Sequence, residues 1–265
     1  MPTISQPTRK QQRDEARRAR VERENAERAA AARRRRLLRL GAVLGAAAAV
    51  VAVLIAVSAS HSGSTGSSST AASSSGSVSG ASATTALFAG IPQKGTTLGS
   101  PNAPVKVTEF ADLQCPFCRE SALTQLPSIV KQYVRPGKVS MSFQSLAFIG
   151  PDSVRAARVA QAAAGQDKLW NFADLMYRNQ RKENTGYATD AYLRRLVAAI
   201  PGLDVNRVFA ARNGTAVTKR LESAQALATK LGVNSTPTFL VRHGSSAKLV
   251  DAAGLQAAIK AAVRS

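Results

Sequence analysis

Cys115 and Cys118, the only cysteines of the chain, stand three apart at a change of apolar period. Upstream, Val105 to Phe110 alternates as a buried strand does, while downstream Ala122, Leu123, Leu126, Ile129, Val130 and Tyr133 recur at helical spacing. Cys115 therefore falls at the mouth of a helix and Cys118 one turn inside it. Val139 to Leu146 then returns to alternation, so the motif sits in a strand, helix, strand unit, most simply a parallel crossover.

That placement has chemical consequences. Unpaired N–H groups and the dipole at a helix N-terminus stabilise a thiolate, so Cys115 is expected below the reference pKa of about 8.5. Cys118 is placed to resolve a mixed disulfide by attacking the Cys115 sulfur. Pro116 suits the first turn because its missing N–H would have had no helical partner anyway. Whatever stabilises the thiolate stabilises the dithiol form, and each 1.4 kcal/mol makes the couple about 30 mV more oxidising. The competing reading is a structural or incidental close pair.

Two cysteines are too few for a disulfide framework, and with His61 and His243 as the only histidines they make a poor zinc set. No metal or cofactor is expected, and a Cys-His nucleophile lacks its usual partner. The formal net charge of +20 suits an anionic neighbour, whether nucleic acid, lipid or wall polymer, and does not choose among them.

The first third of the chain does not read as a core. Residues 1–36 are Arg-rich with interleaved acids, a basic cytoplasmic tail that is either a solvated helix or a mobile segment. Leu40 to Val57 is a charge-free apolar run of 18 residues, about 27 Å as a helix, which Leu37 and Leu38 extend. Residues 37–57 are thus expected to form a single transmembrane helix, with Arg33 to Arg36 holding the N-terminus in the cytoplasm and the rest outside the cell membrane. A cleaved signal peptide ending near Val57-Ser58-Ala59 is the alternative, and it exports the domain as well. Residues 58–86, almost wholly Ser, Gly, Ala and Thr, read as a tether reaching on the order of 30 Å.

The folded part, 87–265, is expected to be α/β: a small sheet with an inserted helical subdomain at about 151–230, broken near Asn184 to Thr189, at Pro201-Gly202 and at Asn213-Gly214. A hairpin around His243-Gly244 and a closing amphipathic helix, Ala253 to Val263, follow. Trp170, Phe172 and Tyr177 read as core of the subdomain, and His243 as a solvated hairpin residue. Asn213-Gly214-Thr215 and Asn234-Ser235-Thr236 match a glycosylation pattern that is common by chance.

Three blocks carry a resemblance. The segment Val105-Lys106-Val107-Thr108-Glu109-Phe110-Ala111-Asp112-Leu113-Gln114-Cys115-Pro116-Phe117-Cys118 resembles the active-site strand and helix start of the DsbA-like branch of the thioredoxin superfamily. Gly232 to Phe239 resembles that family's cis-proline loop, and Leu169 to Tyr177, with Asn179-Gln180, is similar to a helix of its inserted helical domain. Together they cover most of Leu98 to Val263, in the family's order.

The resemblance implies a thioredoxin-like fold and a membrane-anchored thiol–disulfide oxidoreductase, with Cys115 and Cys118 catalytic. It implies a cis peptide at Thr236-Pro237 beside Cys115, where an extended client chain can pair; the alternative is a trans proline opening an edge strand. Pro116 and Phe117 complete the expected substrate contacts. Glu109 is either a buried acid that moves the Cys118 proton or a strand-end carboxylate paired with an Arg. Pro116-Phe117 replaces the Pro-His of the best-known oxidases and removes one source of thiolate stabilisation. The expected work is to oxidise exported protein thiols, with a membrane-bound quinone-linked partner restoring the disulfide. Reduction or isomerisation, or a non-catalytic module binding wall polymer or lipid, are the alternatives. Nucleic acid is not an expected partner of an exported domain.

Overall fold

The structure, a computed structural model, describes residues 78–265. The expected basic tail, transmembrane helix and most of the tether lie outside the described residues. Among those described, no helix is long and apolar enough to cross a membrane.

Six strands form one mixed sheet in the order β1-β2-β4-β3-β5-β6. They are β1 (Gln93–Lys94), β2 (Thr97–Leu98), β3 (Val105–Ala111), β4 (Val139–Ser145), β5 (Thr238–His243) and β6 (Ser246–Asp251). β3 and β4 run parallel, as the crossover reading required, and every other pair is antiparallel. The alternation of β3 sorts its two faces. Val105, Val107 and Ala111 join the main core, whereas Phe110 joins a second cluster with Leu240 and with Ala224 and Ala228 of a covering helix.

The helices are α1 (Ala81–Phe88), α2 (Pro116–Thr124), α3 (Leu126–Ile129), α4 (Pro151–Ala164), α5 (Leu169–Arg178), α6 (Asp190–Ala198), α7 (Val205–Ala211), α8 (Thr215–Leu231) and α9 (Ala252–Arg264). The stretch read as one helix from Cys115 to Tyr133 is divided. Pro127 has no N–H to continue α2, and a five-residue π-turn, Val130–Val134, follows α3. α4 to α8 form the inserted subdomain between β4 and β5. Trp170, Phe172 and Tyr177 are buried in it, and the Trp170 indole N–H donates to the Thr96 carbonyl at 2.9 Å.

Two boundaries correct the sequence reading. The tether was expected to run to residue 86, but α1 already begins at Ala81, with Thr84 and Phe88 buried. Thr84 donates its hydroxyl to the buried Asp174, a partner 90 residues away that a low-complexity composition does not reveal. The insertion also has an unforeseen break at Gly165–Lys168, where Asp167 takes a positive φ of 57°. Its carboxylate accepts the Gly95 N–H at 2.7 Å. His243 is half-buried rather than solvated, with Nδ1 lying 2.9 Å from the Ser265 hydroxyl.

Candidate active site

β3 delivers the chain to the mouth of α2, and Cys115 caps that helix. Its backbone is extended (φ −67°, ψ 122°), Pro116 takes the first helical position, and its sulfur accepts the Cys118 N–H at 3.4 Å. On the other side stands the loop between α8 and β5. Gly232, at φ 70°, stops α8 in the left-handed conformation, and the loop then turns through a cis Thr236-Pro237 bond. The alternative of a trans proline is thereby excluded. The Cys115 thiol lies 3.4 Å from the Thr236 carbonyl oxygen, so loop and dithiol face each other across 121 residues of sequence.

The two sulfurs differ sharply in proton affinity. Cys115 is lowered to about 6, chiefly by the hydrogen bond from the Cys118 side chain; burial opposes this, and Thr236 and the backbone N–H groups of Cys118 and Phe117 assist. Cys118 is fully buried and pushed well above the ordinary thiol range, first by burial and then by the neighbouring Cys115. At neutral pH the pair holds one thiolate and one thiol.

Glu109 faces the same side of β3 as Val107 and sits in register between Phe143 of β4 and Phe239 of β5. It lines a small space with Ala122, Leu126, Trp170 and Tyr177, and Ala122 lies one turn after Cys118. The Arg partner weighed from sequence is absent: among the described residues Glu109 forms no ion pair. Burial alone raises its carboxyl to about 8, so it is protonated at neutral pH. Phe117, between the cysteines, is 67% exposed.

Sequence reasoning gave no role to Gln180, whose side-chain amide donates to the Leu113 and Cys115 carbonyls at 3.1 and 3.2 Å. Nor did it assign Arg119, whose Nε donates to the Tyr177 carbonyl at 3.0 Å. These bonds tie the end of α5 to the active-site turn. Their signal was faint, a polar pair just beyond a helix end.

Comparison with known proteins agrees with this geometry. Residues 92–261 match the sequence profile of the family described as Thioredoxin. The chain belongs to the thioredoxin family. It is 34% identical over 148 residues to the probable disulfide bond formation protein D of Bacillus cereus, covering 55% of this chain and 68% of that one. Within the family, then, it is a DsbA-like thiol–disulfide oxidoreductase. A thioredoxin-like oxidoreductase from Silicibacter pomeroyi superposes with a TM-score of 0.51 at 30% identity, covering 68% of this chain and 98% of that one. Oxidised BdbD from Bacillus subtilis shares the fold, with a TM-score of 0.58 at 23% identity over 66% of this chain and 98% of its own.

Proposed function

We propose that this oxidoreductase is a dithiol oxidase that inserts disulfides into exported proteins, held to the cell membrane by residues 37–57 with the N-terminus in the cytoplasm and the catalytic domain outside. The observation that carries the direction is the stabilised Cys115 thiolate. A fall from 9.0 to about 6 favours the dithiol form by about 1.4 kcal/mol at pH 7, or roughly 30 mV toward oxidation of clients. The relatives named as disulfide bond formation proteins support the same direction.

The reaction starts from the Cys115–Cys118 disulfide. A client thiolate attacks the Cys115 sulfur, the bond between the two cysteines breaks, and its electron pair goes to Cys118. Cys118, with its high proton affinity, takes up a proton, and Glu109, protonated at neutral pH beneath α2, is the nearby acid that supplies it. A second client thiolate then attacks the client sulfur of the mixed disulfide, and Cys115 leaves as the stable thiolate. The client has lost two electrons to the pair and its two thiol protons to solvent, from which Glu109 regains the proton it gave. A membrane-bound quinone-linked partner accepts the two electrons from the reduced pair. Pro116, Phe117, Thr236 and Pro237 frame the sulfur that the client must reach, and the Thr236-Pro237 backbone is where an extended client pairs.

The test is the reduction potential of the pair together with its redox state in the cell. The expected result is a potential more oxidising than that of an unperturbed dithiol, and a pair mostly oxidised in the cell. A mostly reduced pair reverses the direction and makes the protein a reductase or isomerase, in keeping with the missing His beside Cys118. Retained function after replacement of both cysteines would instead mark a binding module.

A further inference from the structure

Asp112, three residues before Cys115, is completely buried and has no ion-pair partner among the described residues. Such a carboxylate is costly unless its lone pairs are used, and all four of its bonds come from uncharged donors. One oxygen accepts the Gln114 N–H at 2.8 Å and the Ser153 hydroxyl at 2.7 Å. The other accepts the Phe148 and Ile149 N–H groups at 3.1 and 3.2 Å.

The first oxygen bridges the turn that leads into Cys115, whose own N–H donates to the Asp112 carbonyl at 3.0 Å, to Ser153 in the first turn of α4. The second holds the loop between β4 and α4. A third segment closes the circuit: Asn184 donates its backbone N–H to the Gln114 side-chain oxygen at 3.0 Å and its Nδ2 to the Ile149 carbonyl at 2.6 Å. Gly150 makes that approach possible, because a Cβ there would stand 2.0 Å from Asn184 Oδ1. The ring thus joins the active-site turn to two loops of the helical insertion.

One of those loops carries Phe148, 55% exposed, and the active-site turn carries Phe117, 67% exposed. The Phe148 N–H bonds the side chain of Asp112, whose backbone carbonyl accepts the Cys115 N–H, so the loop that carries Phe148 is tied directly to the active-site turn. We propose that Asp112 is a positioning residue whose carboxylate fixes the Phe148 loop beside the dithiol, so that Phe148 receives an apolar side chain flanking the cysteine of a polypeptide client. The proposal rests on thiol–disulfide exchange at Cys115 but not on its direction. Asp112 acts on client affinity rather than on the sulfur chemistry. Replacement by Asn is informative because the amide keeps one accepting oxygen but turns an NH2 group toward donors that need an acceptor.

The experiment uses the oxidised full-length protein and follows mixed-disulfide formation with two single-cysteine peptides, one flanked by Phe and one by Ser, and with glutathione. Asp112→Asn and Phe148→Ala are each expected to raise KM for the Phe-flanked peptide about tenfold relative to glutathione, with kcat little changed. The double variant should be no worse than either single one, because both act through the same loop. The pH midpoint for alkylation of Cys115 in reduced Asp112→Asn should stay at about 6. An unchanged KM in Phe148→Ala overturns the proposal. So does an Asp112→Asn variant that slows glutathione as much as the peptide or moves the midpoint, since the carboxylate would then act on the dithiol itself. Should Asp112→Asn fail to fold, Phe148→Ala decides alone. A reduction potential that refutes the oxidase reading leaves these ratios untouched.

Discussion

The mouth of α2 and the apolar layer beneath it hold chemically similar acids and treat them in opposite ways. At the mouth, Cys115 is surrounded by donors and drops to about 6. Beneath, Cys118 and Glu109 meet mainly desolvation; Cys118 is pushed well up and Glu109 rises to about 8. One helix terminus thus holds a thiol that releases its proton one turn from a thiol that keeps it. The contrast gives the dithiol a thiolate that leaves easily and a thiol that holds its proton tightly.

The largest test of that contrast removes its two ends in turn. Cys115→Ala is expected to lower thiol–disulfide exchange by about a thousandfold or more in a client-oxidation assay. Cys118→Ala should accumulate client mixed disulfides visible on non-reducing gels. It should also raise the alkylation midpoint of Cys115 above 6, because the strongest stabilising hydrogen bond is gone.

Glu109 gives the next effect, in stability. Its folded pKa of about 8 lies above the ordinary carboxyl value of 4.5, so the unfolded chain ionises first as pH rises. Stability associated with the protonated acid is complete below 4.5 and is lost as pH climbs toward 8. Glu109→Gln, which stays neutral, should be more stable than the natural protein by roughly 3 kcal/mol near pH 7, with the gap closing below pH 4.5 in denaturant titrations. Equal curves at both pH values would place water or a charge partner beside Glu109. In a turnover assay the same variant should slow the step in which Cys118 gains its proton by about tenfold or more.

A smaller shift follows from Cys115. Its lowered pKa stabilises the reduced folded protein fully above 9.0, and the benefit is lost as pH falls through about 6. Near pH 7 it amounts to about 1.4 kcal/mol, measurable as a Cys115→Ser loss in the reduced protein beyond that in neutral-thiol conditions at pH 5. The smallest effect belongs to a surface pair far from this layer. Arg212 and Asp190 form a close two-pronged bridge, but Asp190 is 50% exposed, and Asp190→Asn should cost less than about 1 kcal/mol.

Much of this was legible in the chain. The change from alternation to helical spacing located β3 and α2, and the Cys-Pro start of α2 located the cap. The blocks around Thr236-Pro237 and Trp170 supplied the loop and the insertion. What stayed illegible had distant partners. α1 looked like tether because its anchor, Asp174, is remote in sequence. The break at Gly165–Lys168 hid because Asp167 is held by Gly95 rather than by local turn chemistry. Asp112 read as one polar residue among several, since three of its four donors lie 36, 37 and 41 residues away.

The sequence by itself determined where the strand ends, where the helix begins and which sulfur caps it, because periodicity and capping act over a few residues. The tertiary structure alone decided which acids keep their protons, which carbonyl meets Cys115 and which loop Asp112 holds. Desolvation and hydrogen bonding depend on what the rest of the fold brings alongside, and Thr236 reaches Cys115 only after the intervening 121 residues have folded between them.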